Sequence, residues 1–421
     1  MKIWRPFTQM HTALTPLRVK TAKDALLTLD NGNEIIDAIS SWWVITHGHC
    51  QKEIVSAVQE QSKEIDQVLF ANFSHNSAEK LVSGLSEILP SSLSKVFFSD
   101  NGSTAVEVAL KMLIQYWRHK EAPQRKVFLS FDHSYHGDTV GAMSVSGDSV
   151  FTRTYSDLLF YVKKLQQGRY STDSIDSFVS PVEEALSKQA NEIAGIIIEP
   201  LVQGAGGMII WPKEALERIS ALSKKYNIPL IFDEVMTGFG RTGKLFAFQH
   251  LDFVPDIICL SKGLTGGMLP LSLTIATEEI YNAFLDDDKS KMFFHGHSFT
   301  GNPISCAAAA ANLEIIKTRD MQLKWDLISS IHQERIKKYY SDIRIKDARL
   351  CGTIAAIEVD EGELGYTSKL SEKLTAFCLE RGVFLRPLGN VIYILPPYSI
   401  TPEQLHQVWD AIDSGIKTLL N

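Results

Sequence analysis

Two residues with chemically useful side chains each stand at the end of a short apolar run. Ile257 to Leu260 leads directly into Ser261-Lys262-Gly263, and Pro229 to Phe232 leads into Asp233. Apolar runs of this length that stop abruptly at a polar residue are typical of strands buried on both faces of a sheet. Ligands of open α/β sheets bind at the carboxyl edge of the strands. We therefore expect an amine and a carboxylate to project from that edge.

A lysine and an aspartate at neighbouring strand ends match the needs of pyridoxal phosphate (PLP). The lysine forms a Schiff base with the cofactor aldehyde, and the aspartate keeps the pyridine nitrogen protonated so that the ring withdraws electrons. For either residue alone, a surface lysine or a helix cap is the better interpretation. Both residues together, with Gly263, Gly266 and Gly267 behind the lysine, favour the cofactor.

A third segment has the features of a phosphate site. Val96 to Ser99 predicts a strand, and Asp100 to Thr104 leads from it into a helix with apolar residues at helical spacing between 105 and 113. Free backbone N–H groups at the positive end of a helix dipole bind phosphate. An ordinary helix cap is the alternative, since serine and threonine are favoured there regardless. Gly102 and Ser103 are the candidate phosphate ligands.

Other predicted strands also end in functional side chains. Tyr135 follows the run Lys126 to Phe131, and an aromatic ring in that place can lie flat on a planar cofactor. Glu199 ends the apolar run Gly195 to Ile198 at the same edge. The glycine-rich stretch Gln203 to Gly207 lacks the spacing of a dinucleotide fingerprint, so it predicts a turn and argues against a Rossmann dehydrogenase.

Three residues outside this series have open interpretations. Arg386 follows a strand-like segment and can bind a carboxylate with two hydrogen bonds, but a surface ion pair is about as well supported. Trp42 and Trp43 belong equally well to the core or to a seam between domains.

The pattern along the chain predicts an α/β protein of two domains. Apolar runs alternate with helical stretches from about 50 to 310, which is typical of a mostly parallel sheet. We expect a large cofactor-binding domain over residues 46–314 and a smaller α+β domain over residues 315–421. Residues 1–45, with a hairpin signal at Asn31-Gly32, are expected to join the smaller domain.

Composition excludes several classes of protein. The 421 residues are 45% hydrophobic and 22% charged, with a formal net charge of −7 and no basic block, which argues against nucleic-acid binding. The five cysteines are scattered, which indicates a reducing, cytoplasmic location. We expect neither a signal peptide nor a membrane span. Two His-Gly-His triplets lack further ligands at supporting spacing, so we expect no metal site.

These residues together resemble the class III PLP-dependent aminotransferases of fold type I, over nearly the whole chain. The resemblance is carried by Asp233 to Gly243, Ser261 to Gly263 and Gly301 to Pro303. Within that class the chain is similar to the members that aminate 8-amino-7-oxononanoate in biotin biosynthesis. The segments specific to those members are Trp4 to Met10, Ser40 to Trp43, Tyr135 to Thr139, Arg386-Pro387 and Tyr393 to Pro397.

The resemblance implies a ping-pong transfer of an amino group from S-adenosylmethionine to 8-amino-7-oxononanoate, which gives 7,8-diaminononanoate. The implied catalytic residues are Lys262, Asp233 and Tyr135. The implied cofactor ligands are Gly102, Ser103, Tyr135, Asp233, Val235, Lys262, His297 and Ser298. The implied substrate-binding residues are Phe7, Trp42, Tyr135, Lys262, Gly296 and Arg386. Ser298 is expected to reach the cofactor phosphate of a neighbouring subunit, which implies a homodimer with shared active sites.

Two departures from the pattern widen the range of functions that the sequence allows. Some members have tyrosine where this chain has Phe7, and proline where it has His297. The first departure leaves lysine open as the amino donor in place of S-adenosylmethionine. A class III transaminase of another ω-amino acid, an aminomutase on the same scaffold, and a PLP-binding protein without turnover also stay open. The intact lysine and aspartate argue against the last of these.

Overall fold

The computed structural model describes residues 3–170, 172–360 and 369–420. It has an α/β fold, which confirms the predicted class. The strands, in chain order, are β1 (Val19–Lys23), β2 (Leu26–Leu29), β3 (Glu34–Asp37), β4 (Leu93–Ser99), β5 (Val127–Phe131), β6 (Lys163–Leu165), β7 (Ile193–Ile198), β8 (Val202–Gln203), β9 (Ile209–Ile210), β10 (Leu230–Asp233), β11 (Ile257–Leu260), β12 (Ser272–Thr277), β13 (Ile345–Cys351), β14 (Ile354–Val359), β15 (Val383–Phe384) and β16 (Val391–Ile394).

Helices follow most strands of the first three quarters of the chain and dominate its last quarter. They are α1 (Ser40–Trp43), α2 (Lys52–Glu64), α3 (Asn76–Ser86), α4 (Gly102–His119), α5 (Val140–Val145), α6 (Ile175–Gln189), α7 (Lys213–Tyr226), α8 (Glu278–Asn282), α9 (Pro303–Ile316), α10 (Arg319–Ile336), α11 (Leu370–Leu379) and α12 (Pro402–Leu419). None of the described helices is both long enough and apolar enough to cross a bilayer. All five cysteines are free thiols.

The large sheet has seven strands in the order β4-β12-β11-β10-β7-β5-β6. β10 pairs in parallel with β7 and β11, and β5 pairs in parallel with β6 and β7. β12 runs antiparallel to both of its neighbours. The sequence pattern did not reveal this reversal, because an apolar run does not encode strand direction. The connection from β11 to β12 is short, as antiparallel neighbours allow, whereas a parallel crossover usually needs a helix.

The central strands are buried along their whole length. Every residue of β7, β10 and β11 is shielded from solvent, so helices cover both faces of the sheet. Polar side chains are therefore tolerated only where these strands end. Glu199, Asp233 and Lys262 stand at or just beyond those ends, and all of them lie at the same edge.

Two smaller sheets bring the ends of the chain together. The predicted hairpin around Asn31-Gly32 forms β2 and β3, and β3 pairs in parallel with β15, so the N-terminal strands join a C-terminal strand. β13, β14 and β16 form an antiparallel sheet that packs against α10, whereas α11 and α12 contact β15 of the other small sheet. The amphipathic pattern of residues 326–340 and of residues 368–380 predicts a helix in each range. The first helix begins earlier, at Arg319, and the start of the second, Ser368, lies outside the described residues. The domain boundaries stay a prediction.

A buried arginine connects the C-terminal sheet with the turn between β8 and β9. Arg349, on β13, forms ion pairs with Asp347 (2.6 Å) and Glu358 (2.9 Å). Its Nε donates to the carbonyl of Met208 (2.8 Å) and its Nη2 donates to that of Gly207. Both carbonyls belong to the turn between β8 and β9, which the glycine-rich stretch predicted correctly. The C-terminal sheet thus holds a turn that lies next to the site.

Candidate active site

A cavity of 430 Å³ opens where the central strands of the large sheet end. It is lined by six of the residues predicted for the site, namely Gly102, Ser103, Tyr135, Asp233, Val235 and Lys262. Further lining residues include Trp43, His136, Gly137, Glu199 and Met236. The structure therefore brings the predicted amine, carboxylate and helix N-terminus to one place.

Lys262 follows β11 after one residue, Ser261, and begins a short 3₁₀ helix with a left-handed φ of 45°. Its Nζ lies 4.7 Å from the centre of the Trp43 ring. Burial lowers the pKa of Lys262 from 10.5 to about 8, and the nearby carboxylates of Asp233 and Glu199 oppose that shift only in part. About a tenth of the amine is therefore unprotonated at pH 7, far more than for an ordinary lysine, and the unprotonated form is the one that acts as nucleophile or base.

Asp233, the last residue of β10, is held from two sides. Its Oδ2 lies 2.7 Å from Nδ1 of His136, and its Oδ1 accepts a hydrogen bond from the backbone N–H of Val235 (3.1 Å). His136 is fully buried, and its Nε2 has no partner among the described residues. When Nδ1 carries the proton it donates to Asp233, and this hydrogen bond orients the carboxylate. Sequence reasoning did not assign His136, although it stands beside Tyr135 in the motif.

The first turn of α4 lines the same cavity. Asn101 caps the helix through the N–H of Thr104 (3.1 Å), and the N–H groups of Gly102 and Ser103 have no partner among the described residues. Free N–H groups at a helix N-terminus bind an anion. A Cβ atom added to Gly102 would lie 2.7 Å from Cγ1 of Val235, so glycine is required for this close approach.

Glu199 lines the cavity and fixes the backbone of two neighbouring segments. Its carboxylate accepts hydrogen bonds from the N–H groups of Tyr135 (2.9 Å) and Gly204 (3.0 Å). Burial raises the pKa of Glu199 to about 7. Burial, together with Asp138, also raises the pKa of the Tyr135 hydroxyl above its ordinary value. Tyr135 is therefore a neutral ring with a backbone fixed at the edge of the sheet.

Phe7, Trp42 and Arg386 do not line the cavity. With Phe151 they form a partly exposed cluster, called here the outer part of the site, that reaches the cavity through the contact of Phe151 with Tyr135. Phe7 and Trp42 keep 46% and 37% of their surface exposed, and their rings lie 5.3 Å apart. The guanidinium of Arg386 lies 5.1 Å from the Trp42 ring and forms no ion pair with a described residue. The predicted surface ion pair of Arg386 is therefore absent from the described part of the chain. The outer part also contains Phe151, which sequence reasoning missed.

The paired tryptophans separate at α1. Trp43 is buried and donates from its indole N–H to the Tyr393 hydroxyl (3.0 Å), whereas Trp42 faces the outer part of the site. The backbone is strongly distorted here, with a φ of 61° at Ser41 and 66° at Trp43. Trp43 therefore belongs to the core, and the alternative of a seam between domains stays a prediction.

Gly296, His297 and Ser298 do not line this cavity. They belong to a loop in which the N–H of His297 donates to Thr300 Oγ1 (3.0 Å) and Gln67 donates to the carbonyl of Ser298 (3.1 Å). The expectation that they act in the site of a second subunit stays a prediction.

The His-Gly-His triplets are used in other ways. His47 Nε2 lies 2.7 Å from the Asn312 side-chain oxygen, and His49 Nε2 lies 2.9 Å from Asp37 Oδ2. Within the described ranges, no group of three histidine, cysteine or acidic residues could hold a metal ion.

The residues present fit three groups of pyridoxal phosphate: its aldehyde, its pyridine nitrogen and its phosphate. The buried amine of Lys262 suits the aldehyde, and Asp233, fixed by His136, suits the pyridine nitrogen. The unpaired N–H groups of Gly102 and Ser103 suit the phosphate. The ring would lie between Val235 and Tyr135, two residues that line the same cavity.

Residues 8–416 match the family model of the class-III aminotransferases. The match covers nearly the whole chain, and the chain belongs to that family.

The chain is also similar to named relatives over its full length. It is 45% identical over 416 residues, 97% of both chains, to the adenosylmethionine-8-amino-7-oxononanoate aminotransferase of Synechococcus elongatus. It is 38% identical to the protein of the same name from Geobacter sulfurreducens, over 99% of this chain and 96% of the relative.

Solved structures of the same class have the same fold. The adenosylmethionine-8-amino-7-oxononanoate aminotransferase of Methanocaldococcus jannaschii aligns with a TM-score of 0.92 at 35% identity, over 99% of this chain and 97% of that one. A PLP-bound amine transaminase from an uncultivated Pseudomonas species aligns with a TM-score of 0.92 at 28% identity, over 99% of each chain.

Proposed function

We propose that this protein is a PLP-dependent aminotransferase of biotin biosynthesis. It transfers an amino group from S-adenosylmethionine to 8-amino-7-oxononanoate and so forms 7,8-diaminononanoate. The observation that carries the proposal is the convergence of Lys262, Asp233 and the first turn of α4 on one cavity. The printed names of the full-length relatives support the choice of substrates.

Lys262 is the proposed acid–base residue. Pyridoxal phosphate, when bound, provides the electron-withdrawing ring that stabilises negative charge on the substrate carbon. The Lys262 amine, with its pKa lowered to about 8, can take a proton from that carbon and would return it to the aldehyde-derived carbon of the cofactor. The Trp43 ring 4.7 Å from Nζ stabilises the ammonium form that exists between the two transfers.

Asp233 is the proposed partner of the pyridine nitrogen, and His136 is the residue that orients it. A carboxylate that accepts hydrogen bonds from His136 and from the N–H of Val235 cannot rotate away from the cavity. Its negative charge holds a proton on the ring nitrogen. The amine and the carboxylate therefore act at opposite ends of one ring.

Arg386 is the proposed ligand of the acceptor carboxylate. It has a guanidinium without an acidic partner among the described residues, and it lies beside the apolar rings of Trp42 and Phe7. A long aliphatic acid needs this combination, because its methylene groups pack on the rings while its charged end pairs with the arginine.

We also propose a cytoplasmic homodimer with shared sites. Gly296, His297 and Ser298 lie outside the cavity of their own chain, on a loop whose neighbours Phe294 and Phe299 keep 62% and 65% of their surface exposed. A second copy that covers these rings would bring Ser298 to the phosphate end of the other site. The unpaired cysteines are consistent with a reducing compartment.

Half-reactions test the proposed function. Purified protein loaded with pyridoxal phosphate is mixed with S-adenosylmethionine or with lysine, and cofactor absorbance reports consumption of the donor. The aminated enzyme is then given 8-amino-7-oxononanoate, pyruvate or 2-oxoglutarate. Formation of 7,8-diaminononanoate from S-adenosylmethionine is the expected result. A response to lysine alone changes the donor, and turnover with pyruvate or 2-oxoglutarate but not with the amino-oxo acid contradicts the proposal.

A further inference from the structure

Residues 3–17 lie outside every helix and strand, and most of them are exposed. A long hydrogen bond from Arg386 Nη2 to the carbonyl of Phe7 (3.4 Å) connects this segment to the described remainder of the chain. Phe7 also has a left-handed φ of 48°. Since backbone bonds do little to hold it, the place of Phe7 over the site depends on the rings that touch it.

The Phe7 ring is held between two other rings. It meets Trp42 at 5.3 Å with an interplanar angle of 70°, and Phe151 at 5.6 Å with an angle of 85°. Phe151 in turn meets Tyr135 at 5.9 Å and 66°. These are edge-to-face contacts, which are the favoured geometry of aromatic pairs. The rings form an unbroken series from Tyr135 in the cavity to Trp42 beside Arg386.

Phe151 has a fixed place relative to Tyr135. The N–H of Phe151 donates to Ser149 Oγ (3.2 Å), and the loop that carries both begins at Gly147, whose N–H donates to the carbonyl of Ser134 (2.9 Å). Ser134 directly precedes Tyr135. The loop is therefore anchored to the strand end that positions Tyr135, and Phe151 transmits that position to Phe7.

We propose that Phe151 is a specificity-determining residue, which holds Phe7 in place and makes the site select acceptors with a long unbranched methylene chain. This inference rests on the proposed function. The ring contacts place Phe151 and Phe7 between Tyr135, which lines the cavity, and Trp42, which lies beside Arg386. Each methylene group that this apolar ring surface removes from water strengthens binding about fourfold. An acceptor shorter by two methylenes cannot both reach Arg386 and fill the surface.

The test compares kcat and KM for 8-amino-7-oxononanoate with those for its homologue shorter by two methylenes. Wild-type protein should favour the longer acid by at least about tenfold in kcat/KM. Phe151→Ala should raise KM for the longer acid about tenfold or more, with a smaller change in kcat, and so abolish the preference. Phe151→Tyr keeps the ring and should keep the preference. Tyr155→Ala, which removes a half-exposed ring from the same loop, is the matched control and should behave as wild type.

Equal losses for both acids in Phe151→Ala, or a loss of kcat alone, would overturn the inference, as would loss of cofactor absorbance in that variant. Failure of the wild type to aminate 8-amino-7-oxononanoate contradicts the proposed function instead. In that case the four proteins are compared on ω-amino acids of increasing length. A chain-length preference that disappears only in Phe151→Ala supports the role of Phe151, and an unchanged preference overturns it.

Discussion

The inner part of the site, Lys262 and Asp233, lies at strand ends of the large sheet, whereas Phe7 and Phe151 of the outer part lie outside every helix and strand. Lys262 and Asp233 stand at the ends of fully buried parallel strands; Asp233 is almost completely shielded from solvent, and Lys262 is half-buried. Phe7 and Phe151 stand on irregular segments, and Phe7 and Trp42 are exposed by a third or more. Groups that move protons are therefore placed by a rigid sheet, and groups that recognise the substrate are placed by contacts among loops.

We infer that the residues on the sheet carry out the chemistry and that the residues on the loops select the substrate. A sheet edge fixes the amine and the carboxylate with little freedom, as acid–base catalysis requires. Loops tolerate substitution more easily, so recognition of the substrate can change without disturbing the chemistry. Variants of the inner part should therefore lower kcat, whereas variants of the outer part should raise KM.

The largest effect is expected at Lys262. Lys262→Ala removes the only proposed group that moves the substrate proton, so turnover should fall by more than about 10³-fold. The change in cofactor absorbance on addition of donor should disappear. Lys244→Ala, at a lysine that donates to the carbonyl of Gln249, is a matched control. Retained turnover in Lys262→Ala would remove the basis of the proposed mechanism.

The second-largest effect is expected at Asp233, the carboxylate of the inner part. Asp233→Asn keeps the size of the side chain but removes the charge that holds a proton on the ring nitrogen. Turnover should fall on the order of 10²-fold or more while the cofactor stays bound. Stopped-flow absorbance after mixing with donor separates binding from chemistry. A rise in KM without a fall in kcat would place Asp233 in substrate binding instead.

Arg386 tests the outer part. Arg386→Ala should raise KM for the acceptor by about 10- to 100-fold, since a charge-assisted hydrogen bond contributes roughly 1.5–3 kcal/mol. The single-turnover rate with the amino donor should change much less. Arg386→Lys keeps the charge but loses the planar, two-pronged geometry, and it should recover only part of the affinity. Equal damage to both half-reactions would show that Arg386 does not discriminate between the substrates.

The pH dependence tests the amine alone. Burial lowers the pKa of Lys262 to about 8, so the rate at which cofactor-free protein attaches pyridoxal phosphate should rise about tenfold per pH unit below 8 and level off above it. The unfolded chain keeps the ordinary lysine pKa of 10.5. It therefore binds more protons between pH 8 and 10.5, and the contribution of Lys262 to folding stability becomes more favourable as pH rises through that window. Absorbance kinetics from about pH 6 to about pH 10 check the first statement.

The strand ends that carry Lys262 and Asp233 could be predicted from the sequence because each depends only on a local pattern of residues. An apolar run followed by a polar residue marks a strand end, and parallel strands bring such ends together. The bond between His136 and Asp233 joins residues 97 positions apart, and no local pattern encodes it. The distorted backbone at α1 decides that Trp43 rather than Trp42 contacts Lys262. Phe151 lies in a loop without periodicity, so only the folded chain reveals its neighbours.

The left-handed backbone at Lys262 implies that this protein would be more heat-resistant without its lysine. A non-glycine residue in that conformation costs on the order of 1 kcal/mol, and burial of an ammonium group adds to the cost below pH 8. Lys262→Gly should thus melt at a higher temperature than Lys262→Ala in calorimetry of cofactor-free protein, because alanine keeps the conformational strain. A residue that is needed for reactivity therefore lowers the thermal stability of the folded protein at this position.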